Sequence, residues 1–242
     1  MRDSGTLNET KNFTHSVPYN DLDSIKKCFE QNINDVACVI VETAFDKPKN
    51  NYLQKLKEIC HANGTILIFD EMWTGFRFAL GGAQEYYNTL PDLSTFSKGI
   101  SNGYPISVIA GKSDIMNQFE NIWGFTTFGG DAVPMAAALA TISEMSQKPV
   151  IQHIWNYGAN LKLALNEIID KCKKEHIFNI IGFDCRFIFQ PNEHFEKRKS
   201  IIQEELVQDG ILWNNMFVPS FSHNEEELDK TINSFARIIK TI

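Results

Sequence analysis

The apolar run Thr65-Ile66-Leu67-Ile68-Phe69 ends in two carboxylates, Asp70 and Glu71. A second short segment, Pro91-Asp92-Leu93-Ser94-Thr95-Phe96-Ser97, ends in Lys98, followed by Gly99 and, after Asn102, by Gly103-Tyr104-Pro105. A carboxylate and an amine, each closing a predicted buried strand, are the pair that pyridoxal phosphate chemistry needs. The amine forms a Schiff base with the cofactor aldehyde, and the aspartate pairs with the pyridine nitrogen. A capped turn and a solvated lysine fit the same spacing, and local pattern alone does not separate the two.

Two such groups need a scaffold that brings strand ends to one edge. Asn20 is a predicted N-cap, and Leu22, Ile25 and Phe29 give an apolar stripe on a helix reaching about Gln31. Val36 to Val41 is a continuous apolar run, as in a strand covered on both faces. Tyr52, Leu53, Leu56 and Ile59 recur at helical spacing, and Gly64 stands where a helix C-cap is expected. The strand ending at Asp70, the short strand before Lys98 and a run from Ile106 to Ala110 follow. Strands separated by helices predict an α/β architecture with a mostly parallel sheet. Ligands of such sheets bind beyond the carboxyl ends of the strands, where Asp70 and Lys98 both fall.

The second half reads differently. A helix is predicted over Asp131 to Met145, and a long one from Val150 to about Cys172. Short strands around Phe178–Ile181 and Cys185–Phe189 follow, then helices near Glu196–Gln208 and Asn224–Ile239. The loss of regular alternation predicts a division into residues 1–149, part of a large cofactor-binding domain, and 150–242, a small C-terminal domain.

With 242 residues, 43% of them hydrophobic, the chain can bury a sizeable core. A net charge of −7, with no basic stripe interleaved with aromatics, excludes nucleic acid as an expected partner. No apolar run has the length of a membrane span, and the first residues open neither a signal nor a transit peptide, so no membrane partner and a cytoplasmic location are expected. Cys28, Cys38, Cys60, Cys172 and Cys185 are scattered without a CxxC, as in a reducing compartment. The six histidines show no HExxH and no grouped carboxylates, so no metal site is expected.

The run DEMWTGFRFALGGAQEYYNTLPDLSTFSKGISNGYP resembles the cofactor segment of the class III aminotransferases. Within them it is most similar to the glutamate-1-semialdehyde 2,1-aminomutase branch, whose TGFR-x-ALGGAQ-x-YY run it matches nearly word for word. PYNDLDSIKKCFEQNINDVACVIVE, TTFGGDAVPMAAALAT and SFSHNEEELDKTINSF extend the likeness from about Val17 to the C-terminal end. The resemblance implies a pyridoxal phosphate-dependent transferase of fold type I. The chain would be the C-terminal part of the large, mostly parallel-sheet domain plus the smaller C-terminal α+β domain.

It also implies pyridoxal 5′-phosphate as cofactor, a small-molecule amino donor and a carbonyl acceptor. Lys98 would bind the cofactor and act as base, and Asp70 would hold the ring nitrogen. Met72, two residues beyond Asp70 and on the same side by a period of two, matches an apolar residue set against the ring face; plain core packing fits it equally. Thr126-Thr127-Phe128-Gly129-Gly130 precedes a predicted helix and gathers hydroxyls and N–H groups, as a phosphate site does, or as an N-cap and turn do. The resemblance implies that Thr127 reaches the phosphate of the neighbouring subunit's cofactor, hence a homodimer. Glu42 matches a family glutamate beside the site, and Thr43 stands where the family usually has proline. Trp73 and Arg77 either line the substrate side or pack.

Two elements of the family pattern do not occur in the sequence: a Gly-Ser/Thr turn that holds the phosphate, and an aromatic residue followed by His-Gly that stacks on the ring. The chain is therefore expected to be the C-terminal catalytic half of an amino-group-transferring enzyme, of aminotransferase or glutamate-1-semialdehyde aminomutase type, completed by a partner chain or a longer protein. One alternative is a sugar or ω-amino transaminase, because TFSKGISNGYP also resembles aminotransferases that modify sugars and antibiotics. The other is an inactive fragment that serves as an oligomerising partner. Alone, the chain is expected to hold cofactor weakly and to be inactive.

Overall fold

The computed structural model describes residues 4–44, 46–122, 124 and 126–242. The chain divides into two compact units, one running to Gly75 and resuming over Gly81–Leu139, the other made of Phe76–Leu80 with Ala140–Ile242.

In the first unit a one-turn helix, α1 (Asn8–Lys11), precedes α2 (Leu22–Gln31). The N-cap of α2 is Asp21, whose carboxylate accepts the Ser24 amide at 3.0 Å. Asn20, the expected cap, sits instead at φ 64° and ties Lys47 and Lys49 through its side-chain amide. Then come β1 (Cys38–Glu42), α3 (Tyr52–Ala62) and β2 (Ile66–Asp70), a β-α-β unit with parallel strands. Gly64, just past α3, adopts the left-handed φ of 67° that helix C-termini favour. A short α4 (Ala83–Tyr86) leads to β3 (Leu93–Phe96), a 3₁₀ turn over Lys98–Ser101, and β4 (Val108–Gly111). The one-turn α5 (Ser113–Met116) and the longer α6 (Ala132–Gln147) follow.

The sheet order is β1-β2-β3-β4, parallel over the first three strands and antiparallel between β3 and β4. It is mostly parallel, as the alternation of elements predicts. Leu67 and Phe69 of β2 are fully buried in a cluster with Leu56 and Cys60 of α3 and Ile25 and Phe29 of α2. β1 departs from expectation. It is an edge strand, and only the face with Val39 and Val41 meets the core; on the other face Ile40 is 62% exposed.

In the second unit, α7 (Val150–Cys172) buries Tyr157, Leu161, Leu165 and Ile169, one per turn. An antiparallel sheet follows in the order β5 (Ile180–Phe183), β6 (Arg186–Phe189) and β7 (Met216–Phe217). The helix expected near Glu196–Gln208 is two: α8 (Glu193–Glu196), capped by Asn192, and α9 (Lys199–Gln208). The last helix, α10 (Glu225–Thr241), opens with a reciprocal capping box between Asn224 and Glu227. Phe187 and Phe189 of β6 and Phe235, Ile238 and Ile239 of α10 complete the core begun by α7. Among the described residues, no helix is long and apolar enough to cross a membrane.

Candidate active site

Parallel pairing sets the level of the strand ends. Asp70 closes β2 beside Thr95 of β3, while on its other side it pairs with Glu42, the last residue of β1. Lys98 lies just beyond the end of β3, so the acid and the amine occupy the same carboxyl edge of neighbouring strands. Asp70 is half-buried. Its Oδ1 accepts the Met72 amide at 3.0 Å and the Thr95 hydroxyl at 3.4 Å, and its Oδ2 accepts no hydrogen bond among the described residues. Lys98 is exposed, opens the 3₁₀ turn, and has a backbone φ of 48°. That turn is fixed by Ser97 Oγ donating to the Ile106 carbonyl at 2.8 Å and by Ser101 Oγ donating to the Tyr104 carbonyl. The Lys98 ammonium lies 4.5 Å from the centroid of the Trp73 ring, within cation–π distance.

The neighbour of Asp70 has a different task. Glu71 is fully buried, and its carboxylate accepts the Ala83 amide at 2.8 Å, the Gln84 amide at 2.7 Å and the Thr74 hydroxyl. It thus closes the loop from Thr74 to Gln84 and satisfies the first amides of α4. Burial pushes its carboxyl above the usual carboxylate range; the three hydrogen bonds pull it down, and the nearby Asp70 charge adds to the rise. Thr43 extends the network, its hydroxyl 3.0 Å from that of Thr74 and its carbonyl accepting the Tyr19 hydroxyl at 2.7 Å. Thr43 therefore ties the end of β1 to the Glu71 loop.

The remaining residues singled out in the sequence fall in several places. β2 stops at Asp70, and Met72 sits in the turn that follows, so strand alternation does not carry to it. Thr127 is exposed in a turn ahead of α6, and it is the Asp131 carboxylate that accepts an amide at the start of that helix, from Val133 at 3.0 Å. Arg77 is turned into the second unit, donating to the Cys185 carbonyl at 3.1 Å and the Pro219 carbonyl at 3.0 Å. Burial pulls its guanidinium below the ordinary arginine pKa, and the same desolvation pushes the Cys185 thiol up to about 12. Arg77 packs. A cleft of 620 Å³ in the second unit, lined by Trp213, Phe217, His223 and Lys230, includes neither Asp70 nor Lys98.

The Glu71 network and the Trp73–Lys98 contact are not apparent from the sequence pattern. A usable signal existed for the first: Gly81-Gly82 ahead of a short helix marks a backbone that must meet something closely.

The sequence profile of the aminotransferase class-III family matches residues 6–239. The glutamate-1-semialdehyde 2,1-aminomutase 2 of Brevibacillus brevis is 35% identical over 258 residues, an alignment covering 98% of this chain and 60% of that protein. The glutamate-1-semialdehyde 2,1-aminomutase of Methanocaldococcus jannaschii is 32% identical over 257 residues, again covering 98% and 60%. The chain therefore spans about 60% of the length of these relatives. Among solved structures, the pyridoxal phosphate form of the Sphingopyxis FumI protein superposes with a TM-score of 0.90 at 22% identity, covering 98% of this chain and 59% of that one. An omega-transaminase from Sphaerobacter thermophilus gives a TM-score of 0.85 at 21% identity, covering 98% and 59%.

Proposed function

Because the chain belongs to the class-III aminotransferase family, we infer that it forms the C-terminal catalytic part of an enzyme that moves amino groups with pyridoxal 5′-phosphate. Its fold is the α/β fold shared with a solved transaminase at a TM-score of 0.88, in keeping with fold type I. The observation that carries the reading is the pair Asp70 and Lys98 at one carboxyl edge of the parallel strands.

The residues suit the group. A half-buried carboxylate with one oxygen open to a donor matches a protonated ring nitrogen, and an exposed amine on a fixed turn matches an aldehyde. Bound there, the cofactor supplies an electron sink that stabilises negative charge on the carbon bearing the amino group. Lys98 would hold the cofactor through its amine, and its Nζ would take up and return the proton of that carbon. Asp70 would hold the ring nitrogen through its open carboxylate oxygen. Met72 would lie against the ring face. Thr127 would serve the phosphate of a neighbouring subunit, which makes the assembly a homodimer, or one completed by a partner chain.

Within the family the glutamate-1-semialdehyde aminomutase type is favoured, because relatives at 35% and 32% identity carry that name. The domain reading that goes with it assigns residues 1–149 to the large domain and 150–242 to the small one. The expected location is the cytoplasm. The test is chemical: borohydride reduction of the assembled protein with pyridoxal phosphate, then peptide mapping, should place the pyridoxyl label on Lys98. Label on Lys112 or any other lysine would sink the assignment.

A further inference from the structure

Trp73 stands at the tip of the turn between Asp70 and Gly75, and its ring carries the Lys98 ammonium at 4.5 Å from the centroid. We propose that Trp73 is a positioning residue for Lys98, its indole face being the seat on which the ammonium rests whenever the amine is not bonded to cofactor. The proposal deepens the function inferred above and rests on the role given there to Lys98.

Both partners are held from behind. On the Trp73 side, the Met72 amide is bound by Asp70 at 3.0 Å, the Thr74 hydroxyl by the Glu71 carboxylate, and the Gly75 amide by the Glu71 carbonyl at 2.7 Å. Residues 72, 74 and 75, which flank the indole, are thereby anchored to Asp70 and Glu71 at the end of β2. On the other side, Lys98 leaves its 3₁₀ turn from a left-handed backbone position, φ 48°, with Asn102 at the far end of that turn also at 48°. An exposed lysine elsewhere would sample many rotamers. Here the ring's negative face selects the charged amine within its roughly 6 Å range. It has no comparable hold on a neutral nitrogen, so the seat retains the released ammonium and lets go of the amine that reacts. An amine that must leave the cofactor and return in every cycle gains from staying next to the Asp70 strand end.

The first measurement needs no catalysis. In cofactor-free protein labelled with 5-fluorotryptophan, the ¹⁹F resonance of Trp73, assigned by its loss in Trp73→Phe, should move in Lys98→Gln. It should also move when pyridoxal phosphate is added to the wild type but not to Lys98→Gln. The second measurement uses the assembled enzyme. Trp73→Leu should lower kcat by about two- to fivefold with the KM of the amino donor unchanged, and Trp73→Phe, which keeps a π face, should recover most of it. A Trp73 resonance indifferent to Lys98→Gln, or equal losses in the Leu and Phe variants, would overturn the proposal. A resonance that responds to Lys98→Gln in a protein that takes no pyridoxyl label would uphold the seat and remove the amino-transfer reading instead.

Discussion

Glu71 and Gly82 are so close that a side chain at position 82 has no room: a Cβ there would fall 2.6 Å from Glu71 Oε2. Gly82 also holds a φ of 85°, a region L side chains rarely adopt. The buried acid and the missing side chain are one device, in which the carboxylate enters the space glycine leaves and collects the Ala83 and Gln84 amides. Gly82→Ala and Glu71→Gln should each destabilise the chain by about 1–3 kcal/mol, the first through strain and overlap, the second by setting an amide N–H₂ against backbone donors. Urea unfolding measures both. Because the two act on one contact, the double variant should lose clearly less than the sum. Full additivity would mean that the loop is not held this way.

Asp70 presents the other acidic chemistry. In the assembled enzyme, Asp70→Asn should keep bound cofactor yet lower the half-reaction rate by roughly a hundredfold or more, since a neutral partner does not hold charge on the ring nitrogen. Cofactor occupancy read by absorbance, alongside stopped-flow rates, separates binding from turnover. Undiminished turnover would show that another group supports the ring.

Asp92 holds the opposite end of the same strands. It is 4% exposed, and its carboxylate accepts Lys112 Nζ at 2.6 Å, the Leu67 amide at 2.7 Å and His61 Nε2 at 3.1 Å. Burial pushes its carboxyl up, but the bonds from Lys112, Leu67 and His61 outweigh that and hold it below the ordinary 3.8. A depressed folded pKa means stability that is fully present above pH 3.8 and lost as the pH falls through the folded value. Asp92→Ala should cost about 2–3 kcal/mol at neutral pH, because the buried Leu67 amide loses its acceptor. The difference from wild type should shrink as unfolding is followed into acid below pH 3.8. A difference independent of pH would mean that the ionised carboxylate contributes nothing.

The open side of β1 predicts behaviour in solution. Edge strands flanked by exposed apolar surface pair with other chains, and Ile40 is exposed on one face of this edge strand. Expressed by itself, the chain should self-associate in sedimentation experiments, and Ile40→Lys should shift it toward monomer. A monomer unaffected by the substitution would show that the edge is not the adhesive surface.

What the sequence determined by itself are the features that local rules govern. The stripe through Tyr157, Leu161, Leu165 and Ile169 fixes α7 over Val150–Cys172, because burial at helical spacing needs no distant partner to be recognised. Gly64 marks the end of α3, and the apolar runs before Asp70 and Lys98 mark β2 and β3, since glycine and continuous apolar segments have few other uses. The parallel sheet followed from the alternation of those elements, and with it the shared edge on which the acid and the amine stand. Neighbouring polar residues competing for one task were less legible: Asp21 rather than Asn20 caps α2, because only Asp21 has the geometry to reach the Ser24 amide.

Tertiary structure decided whatever depends on partners far along the chain. The assignment of Phe76–Leu80 to the second unit rests on Arg77 finding carbonyls at Cys185 and Pro219, more than a hundred positions away. The two-residue β7 exists only because β6 offers it a ladder. Ile40 reads as core in a strand pattern and is exposed because only the opposite face of β1, with Val39 and Val41, meets the core, which is a property of the packing and not of the strand. The seat of Lys98 on Trp73 and the closure of Glu71 on Ala83 both join residues at separations that no period describes. Periodicity reports how one element meets a core; side chains that meet across loops are fixed by the packed chain alone.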